Sequence, residues 1–90
     1  MIHQSYLVSE AKAWLKRKYG PDEVVKIIPD LKADMAVITY LLYTAYDQQP
    51  EYLGRILFVT NGNWIYDGDL LKVEEQEQIA NFIVHLTENV

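Results

Sequence analysis

Residues 35–66 constrain the fold more than any other part of this chain. They read Met-Ala-Val-Ile-Thr-Tyr-Leu-Leu-Tyr-Thr-Ala-Tyr, a polar break at residues 47–50, an aromatic and aliphatic run through Thr60, Asn61-Gly62, and a last short run from Asn63 to Tyr66. β-Branched and aromatic residues fit a pleated, half-buried surface, and turn residues punctuate the runs. The pattern predicts strand, turn, strand, turn, strand. Asn61-Gly62 carries the sharpest signal, because both residues tolerate the positive φ of a two-residue type I′ hairpin turn. Such a turn sets Val59 opposite Trp64 and Phe58 opposite Ile65. A four-residue loop at 47–50 sets Leu41 opposite Ile56.

Those pairings assign two sheet faces. One carries Val37, Thr39, Leu41, Tyr43, Tyr52, Ile56, Phe58 and Ile65. The other carries Ile38, Tyr40, Leu42, Leu53, Arg55, Leu57, Val59, Trp64 and Tyr66. A slip of one residue would exchange the two sets on the slipped strand.

Upstream, Ser5 is positioned to cap a helix beginning near Tyr6. Leu7, Val8, Ala11, Trp14, Leu15 and Tyr19 fall on one arc of a helical wheel. Lys16, Arg17 and Lys18 fall in its last turn, where cations suit the dipole, and Gly20-Pro21 ends it. Residues 24–28 read as a short strand ended by Pro29, placed at a sheet edge because proline cannot serve a central ladder. Residues 29–34 read as a connection. Downstream, Asp69 is the expected N-cap of a second helix with Glu74, Glu75 and Glu77 early and an apolar stripe of Ile79, Phe82, Ile83, Leu86 and Val90. The expected architecture is therefore α+β: a helix, a three- or four-stranded antiparallel meander and a helix, in one small two-layer domain spanning residues 1–90.

Ninety residues suit one domain. Cysteine is absent, which excludes disulfides, thiolate metal sites and a cysteine nucleophile. With no basic-plus-apolar leader at residues 1–5 and no apolar run near 20 residues long, the expectation is a cytoplasmic protein without a membrane segment. The net charge of −5 opposes phosphate backbones and favours basic partners.

Catalytic signals are thin. His3 and His85 are the two histidines; the first lies near a terminus and the second on the polar side of the last helix. Gly54, Gly62 and Gly68 are isolated rather than forming a phosphate loop. Asn61, Asn63, Asp67 and Asp69 bring oxygen donors together, but their spacing does not match a calcium loop, and turn and cap roles explain them. No enzyme activity, cofactor or metal is expected. The expected order of elements is also that of double-stranded-RNA-binding domains, which present cations near the start of the final helix. Here that place holds Glu74, Glu75 and Glu77, so nucleic acid is not an expected partner.

One surplus remains. Both assigned faces are rich in large side chains, and two short helices cover one face more easily than two. Tyr, Trp and Arg are enriched at binding hot spots, and exposed apolar patches mark interaction surfaces. Tyr40, Leu42, Arg55, Leu57, Trp64 and Tyr66 are therefore the candidate partner-binding residues. The expected function is that of a small acidic protein-interaction module, a regulator, adaptor or immunity-type inhibitor, with a protein partner or a second copy as a homodimer. The bland alternative is one helix on each face, both faces being core. A second alternative is a small-molecule site or minor enzyme pocket lined by Tyr40, Tyr43, Tyr52 and Trp64. RNA binding through Lys12, Lys16, Arg17 and Lys18 is the third.

Overall fold

The computed structural model describes residues 9–30, 37–59 and 63–88. The elements are β1 (Ala11–Leu15), β2 (Glu23–Asp30), β3 (Ile38–Thr44), β4 (Tyr52–Phe58), β5 (Trp64–Asp67) and α1 (Val73–Glu88). The five strands form one antiparallel sheet in chain order, and α1 lies on one of its faces. The domain is α+β and two-layered, but it has five strands and one helix among the described residues, not a helix-first order with three or four strands.

The first correction concerns residues 11–19. Ala11, Ala13 and Leu15 point into the core while Lys12 and Trp14 point out. This alternation has period two, and the same residues also satisfy a helical arc. Strand wins because β2 is dense in β-branched residues whose backbone donors and acceptors need a partner. β1 supplies one from Ala11 opposite Ile27 to Leu15 opposite Glu23. Tertiary pairing thus overrides the helical preference of Ala, Lys and Leu. Gly20 sits in the β1–β2 connection with φ 89° rather than at a helix end. The expected cap at Ser5 and the apolar residues Leu7 and Val8 lie outside the described residues.

The second correction concerns residues 24–28. β2 is internal, between β1 and β3, and continues through Pro29 to Asp30. The proline is tolerated because β1 pairing stops at Ile27, so at Pro29 the described ladder has a neighbour on one side only, Tyr40 of β3.

The third correction concerns register. Leu41 faces Arg55, not Ile56, and Phe58 faces Trp64, not Ile65. The amide of Val59 donates to the carbonyl of Asn63 at 2.9 Å, leaving three residues between these partners. The turn residues Asn61 and Gly62 lie outside the described residues, as do Met35 and Ala36 at the expected start of β3. β4 is thereby exchanged relative to β3 and β5. Ile56 and Phe58 join Ile38, Tyr40, Leu42, Trp64 and Tyr66 on the inner face. Arg55 and Leu57 join Thr39, Leu41, Tyr43 and Ile65 on the outer one. At the other end of β4, Leu42 pairs with Gly54 but Tyr43 pairs with Tyr52, so Leu53 is an extra, bulged residue.

The core is the inner face closed by α1. Leu15, Val25, Ile27, Tyr40, Leu42 and Ile56 meet Ile79, Ala80 and Ile83, with Ile38, Phe58, Trp64, Tyr66 and Phe82 packed at its border. Tyr40 and Phe58 meet edge to face at 5.8 Å, an arrangement that favours the ring quadrupoles. α1 starts three residues later than expected. Its cap is not Asp69: the backbone amide of Lys72 donates to Glu75 Oε1 at 2.9 Å, the return half of a capping box. Val90, the expected end of the apolar stripe, lies outside the described residues.

Tyr66 ties these parts together. Its hydroxyl donates to the carbonyl of Leu53 in the bulge and accepts from the amides of Leu70 and Leu71, each at 3.3 Å, just before α1. Gly54 lies beneath the ring. A Cβ there would stand 2.7 Å from the Tyr66 ring and 2.9 Å from the carbonyl of Asp67, and its φ is 117°.

Two expected outcomes follow from this arrangement. Tyr66→Phe should cost about 1–3 kcal/mol, because it strands three backbone groups at once. Gly54→Ala should destabilise more than Gly20→Ala. Both pay the left-handed penalty of about 1–2 kcal/mol, but Gly20 has open space around it and Gly54 does not. Urea midpoints at constant m-value measure all three.

Candidate functional site

The six candidate partner-binding residues do not share a surface. Tyr40 and Leu42 are core, with exposures of 1% and 0%. Trp64 and Tyr66 are half-buried on the same inner face and pack against that core. Arg55 and Leu57 lie on the opposite, outer face. The one-residue slip of β4 explains the split: it joined two outer residues to four inner ones.

The outer face carries its side chains in rows across the strands. Trp14 stands opposite Val24. Lys12, Lys26, Tyr43 and Tyr52 make the next row, then Ile28, Leu41, Arg55 and Asp67, then Asp30, Thr39, Leu57 and Ile65. Among the described residues no helix or strand packs on this side. Thr39 is buried, and Ile28, Leu41, Tyr43 and Leu57 are half-buried. Trp14 at 68% and Ile65 at 59% stand exposed at opposite margins, with Tyr52 also exposed. A shallow depression of about 300 Å³ is lined by Lys26, Ile28, Leu41, Tyr43 and Pro50.

Arg55 Nε donates to Asp67 Oδ2 at 2.8 Å across the β4–β5 pair. That hydrogen bond and the Asp67 charge hold the guanidinium even more firmly protonated than usual. Burial raises the Tyr52 hydroxyl above the ordinary tyrosine value, with the Arg55 charge pulling the other way. Tyr43 and Tyr52 stack at a tilt, 5.3 Å between centroids. Sequence reasoning missed Trp14, Val24, Lys26 and Ile28 on this face. Their signal was the alternation through residues 11–15 and 24–28, which the helical reading of residues 6–19 and the edge placement of the next run obscured.

A second constellation joins the end of β1 to the start of α1. Arg17 bridges two carboxylates: Nε to Glu75 Oε2 at 3.1 Å and Nη2 to Glu23 Oε1 at 2.9 Å. Its backbone amide donates to Asp22 Oδ1 at 3.1 Å. The Gln78 side chain accepts from the amide of Lys16 at 2.9 Å and donates to its carbonyl at 2.7 Å, standing where the next strand's backbone would be. The backbone of the residue just past β1 is thus satisfied by a helix side chain. Glu75 therefore bridges Arg17 and caps α1 at the same time, so it is not a free surface charge.

The other sequence candidates separate. Tyr40 is core, Tyr43 and Tyr52 are outer and Trp64 is inner, so the four do not line one pocket. His85 is exposed on α1, its Nδ1 2.8 Å from the carbonyl of Asn81; His3 lies outside the described residues. Lys12, Lys16, Arg17 and Lys18 are not a helix face: Lys12 is on the outer sheet face and the others follow β1. Asn61 is outside the described residues, and among those described no group of three His, Asp or Glu side chains is placed to hold a metal ion. Among the described residues no helix is long and apolar enough to cross a membrane. No protein-family model, curated protein or solved structure matches the chain.

Glu75→Ala should cost about 1–3 kcal/mol, since it removes a helix cap and one of the Arg17 partners from a mostly buried position. Gln78→Ala should cost less, about 0.5–1.5 kcal/mol, because water reaches the freed Lys16 backbone. Chemical denaturation of the two variants beside the parent protein measures the difference.

Proposed function

We propose that this protein acts as a small protein-interaction module whose contact surface is the outer face of the sheet. The observation that carries the reading is the pair of exposed margins, Trp14 and Ile65, flanking a half-buried apolar centre of Val24, Ile28, Leu41, Tyr43 and Leu57. A solvated face of an antiparallel sheet normally alternates to polar residues. This one sets two lysines, two aspartates, one threonine and one arginine among its aliphatic and aromatic residues.

Size supports the reading. Five strands at about 4.8 Å spacing and on average about six residues long make a face on the order of 500 Å². Two such faces together approach about 1,000 Å², the lower range of a specific interface. A second copy is the simplest occupant, because a twofold axis pairs one patch with itself. A foreign basic protein is the other occupant, favoured by the net charge of −5, which steers encounter with cations. Of the early glutamates of α1, Glu74 and Glu77 are exposed and contribute to that field, while Glu75 is engaged.

The solution mass tests the proposal. The parent protein is expected to associate at micromolar concentration. The double variant Trp14→Ser, Ile65→Ser is expected to run as a monomer, with its folding free energy within about 0.5 kcal/mol of the parent. Tyr40→Ser, by contrast, should unfold the chain, because its ring is core. A parent protein that stays monomeric up to the highest soluble concentration removes the self-pairing form.

A further inference from the structure

The end of the molecule where β1 runs out and α1 begins holds a concavity of about 500 Å³ that the interaction surface does not use. It is lined by Lys16, Arg17, Lys18, Tyr19, Lys72, Glu74, Glu75 and Gln78. Four of the chain's eight lysines and arginines thus face one hollow in a protein of net charge −5. Arg17 is occupied by Glu75 and Glu23, and Gln78 by the Lys16 backbone, so these two build the wall. Lys16, Lys18 and Lys72 make no ion pair with any carboxylate among the described residues. Lys18 and Lys72 come from different segments and both approach Tyr19: their ammonium groups lie 6.0 and 5.9 Å from its ring centroid. Of the two carboxylates that line the hollow, Glu75 is engaged by Arg17 and Glu74 makes no ion pair among the described residues.

We propose that this hollow is a binding site for the phosphate chain of a small polyphosphate. Its volume falls within the range of small-molecule sites, about 300–1,000 Å³. A ligand with several negative charges supplies the counter-charge that these three ammonium groups lack among the described residues. Lysine acts as a compact, rotatable point charge, which suits phosphoryl oxygens. Planar carboxylates are matched better by an arginine fork, and the one arginine here is already taken. The acidic remainder of the surface gives no diffuse attraction for polyanions, so any binding must come from this cluster.

Titration calorimetry at low ionic strength with inorganic pyrophosphate, ATP and citrate tests the assignment. Saturable one-site binding of pyrophosphate is expected. The double variant Lys18→Gln, Lys72→Gln should weaken it at least tenfold, Glu74→Gln should tighten it several-fold, and Lys26→Gln on the outer face should leave it unchanged. Circular dichroism on each variant separates lost binding from lost fold, and single Lys18→Gln, at an exposed position, carries the test should the double variant unfold. Equal affinity for pyrophosphate and ATP assigns recognition to the phosphate chain alone; tighter ATP adds a contribution from the nucleoside. Absence of saturable pyrophosphate binding, binding indifferent to the Lys18 and Lys72 changes, or citrate binding as tightly as pyrophosphate would each overturn the proposal.

Discussion

The pairing of β3 with β4 decides which side chains meet α1, and almost everything else in the molecule depends on it. Side chains alternate across a strand, so a shift of one position trades the whole set of one face for the other. With Tyr40 opposite Ile56 and Ile38 opposite Phe58, the inner face is continuous in apolar volume and one helix closes it. The bulge at Leu53 shifts the register by one residue between Leu42 and Tyr43, which keeps Tyr52 beside Tyr43 on the outer side. Tyr66 holds that irregularity in place by bonding the bulge carbonyl and the amides ahead of α1 with a single hydroxyl. Sheet register and helix entry are therefore coupled through one side chain.

That coupling changes the meaning of several residues. Trp64 and Tyr66 look like contact residues on a bare sheet, yet they border the core. Trp14 looks like part of a helix face, yet it stands outward at the margin of the open sheet face. The surplus of large side chains expected from the sequence is present, but on the side bearing Leu41, Tyr43 and Leu57 rather than Tyr40 and Trp64. The molecule consequently offers two chemically different surfaces. One is the broad outer face, with aliphatic and aromatic residues among its charged ones, proposed above as a contact surface for a protein. The other is the lysine-lined hollow at the β1–α1 end, proposed above as a site for a small anion. They share no lining residue, so each can be altered without touching the other.

The β1–α1 junction fastens the end of the edge strand to the helix. Gln78 places an amide where a sixth strand would place its backbone, and Arg17 ties the same strand end to Glu75 of the helix. These polar contacts fasten the strand that local preference alone would have made helical. They also fix the wall against which Lys16, Lys18 and Lys72 gather.

Much of the framework was legible in the residues alone: the central strands, the partition of β3 into Ile38, Tyr40 and Leu42 against Thr39, Leu41 and Tyr43, the final helix with Ile79 and Ile83 inward, and the acidic start of that helix. These follow from local chemistry, namely β-branched runs, period and turn residues, which act over a few positions. What only the tertiary structure decided was non-local. Residues 11–15 satisfy two periods equally, and the unpaired backbone of β2 chose between them. The register of β4 turned on one residue of loop length and one bulge, neither of which changes local propensity. Residues 16–18 and Lys72 are far apart in the chain and become one charged hollow only because β1 is a strand lying beneath the start of α1.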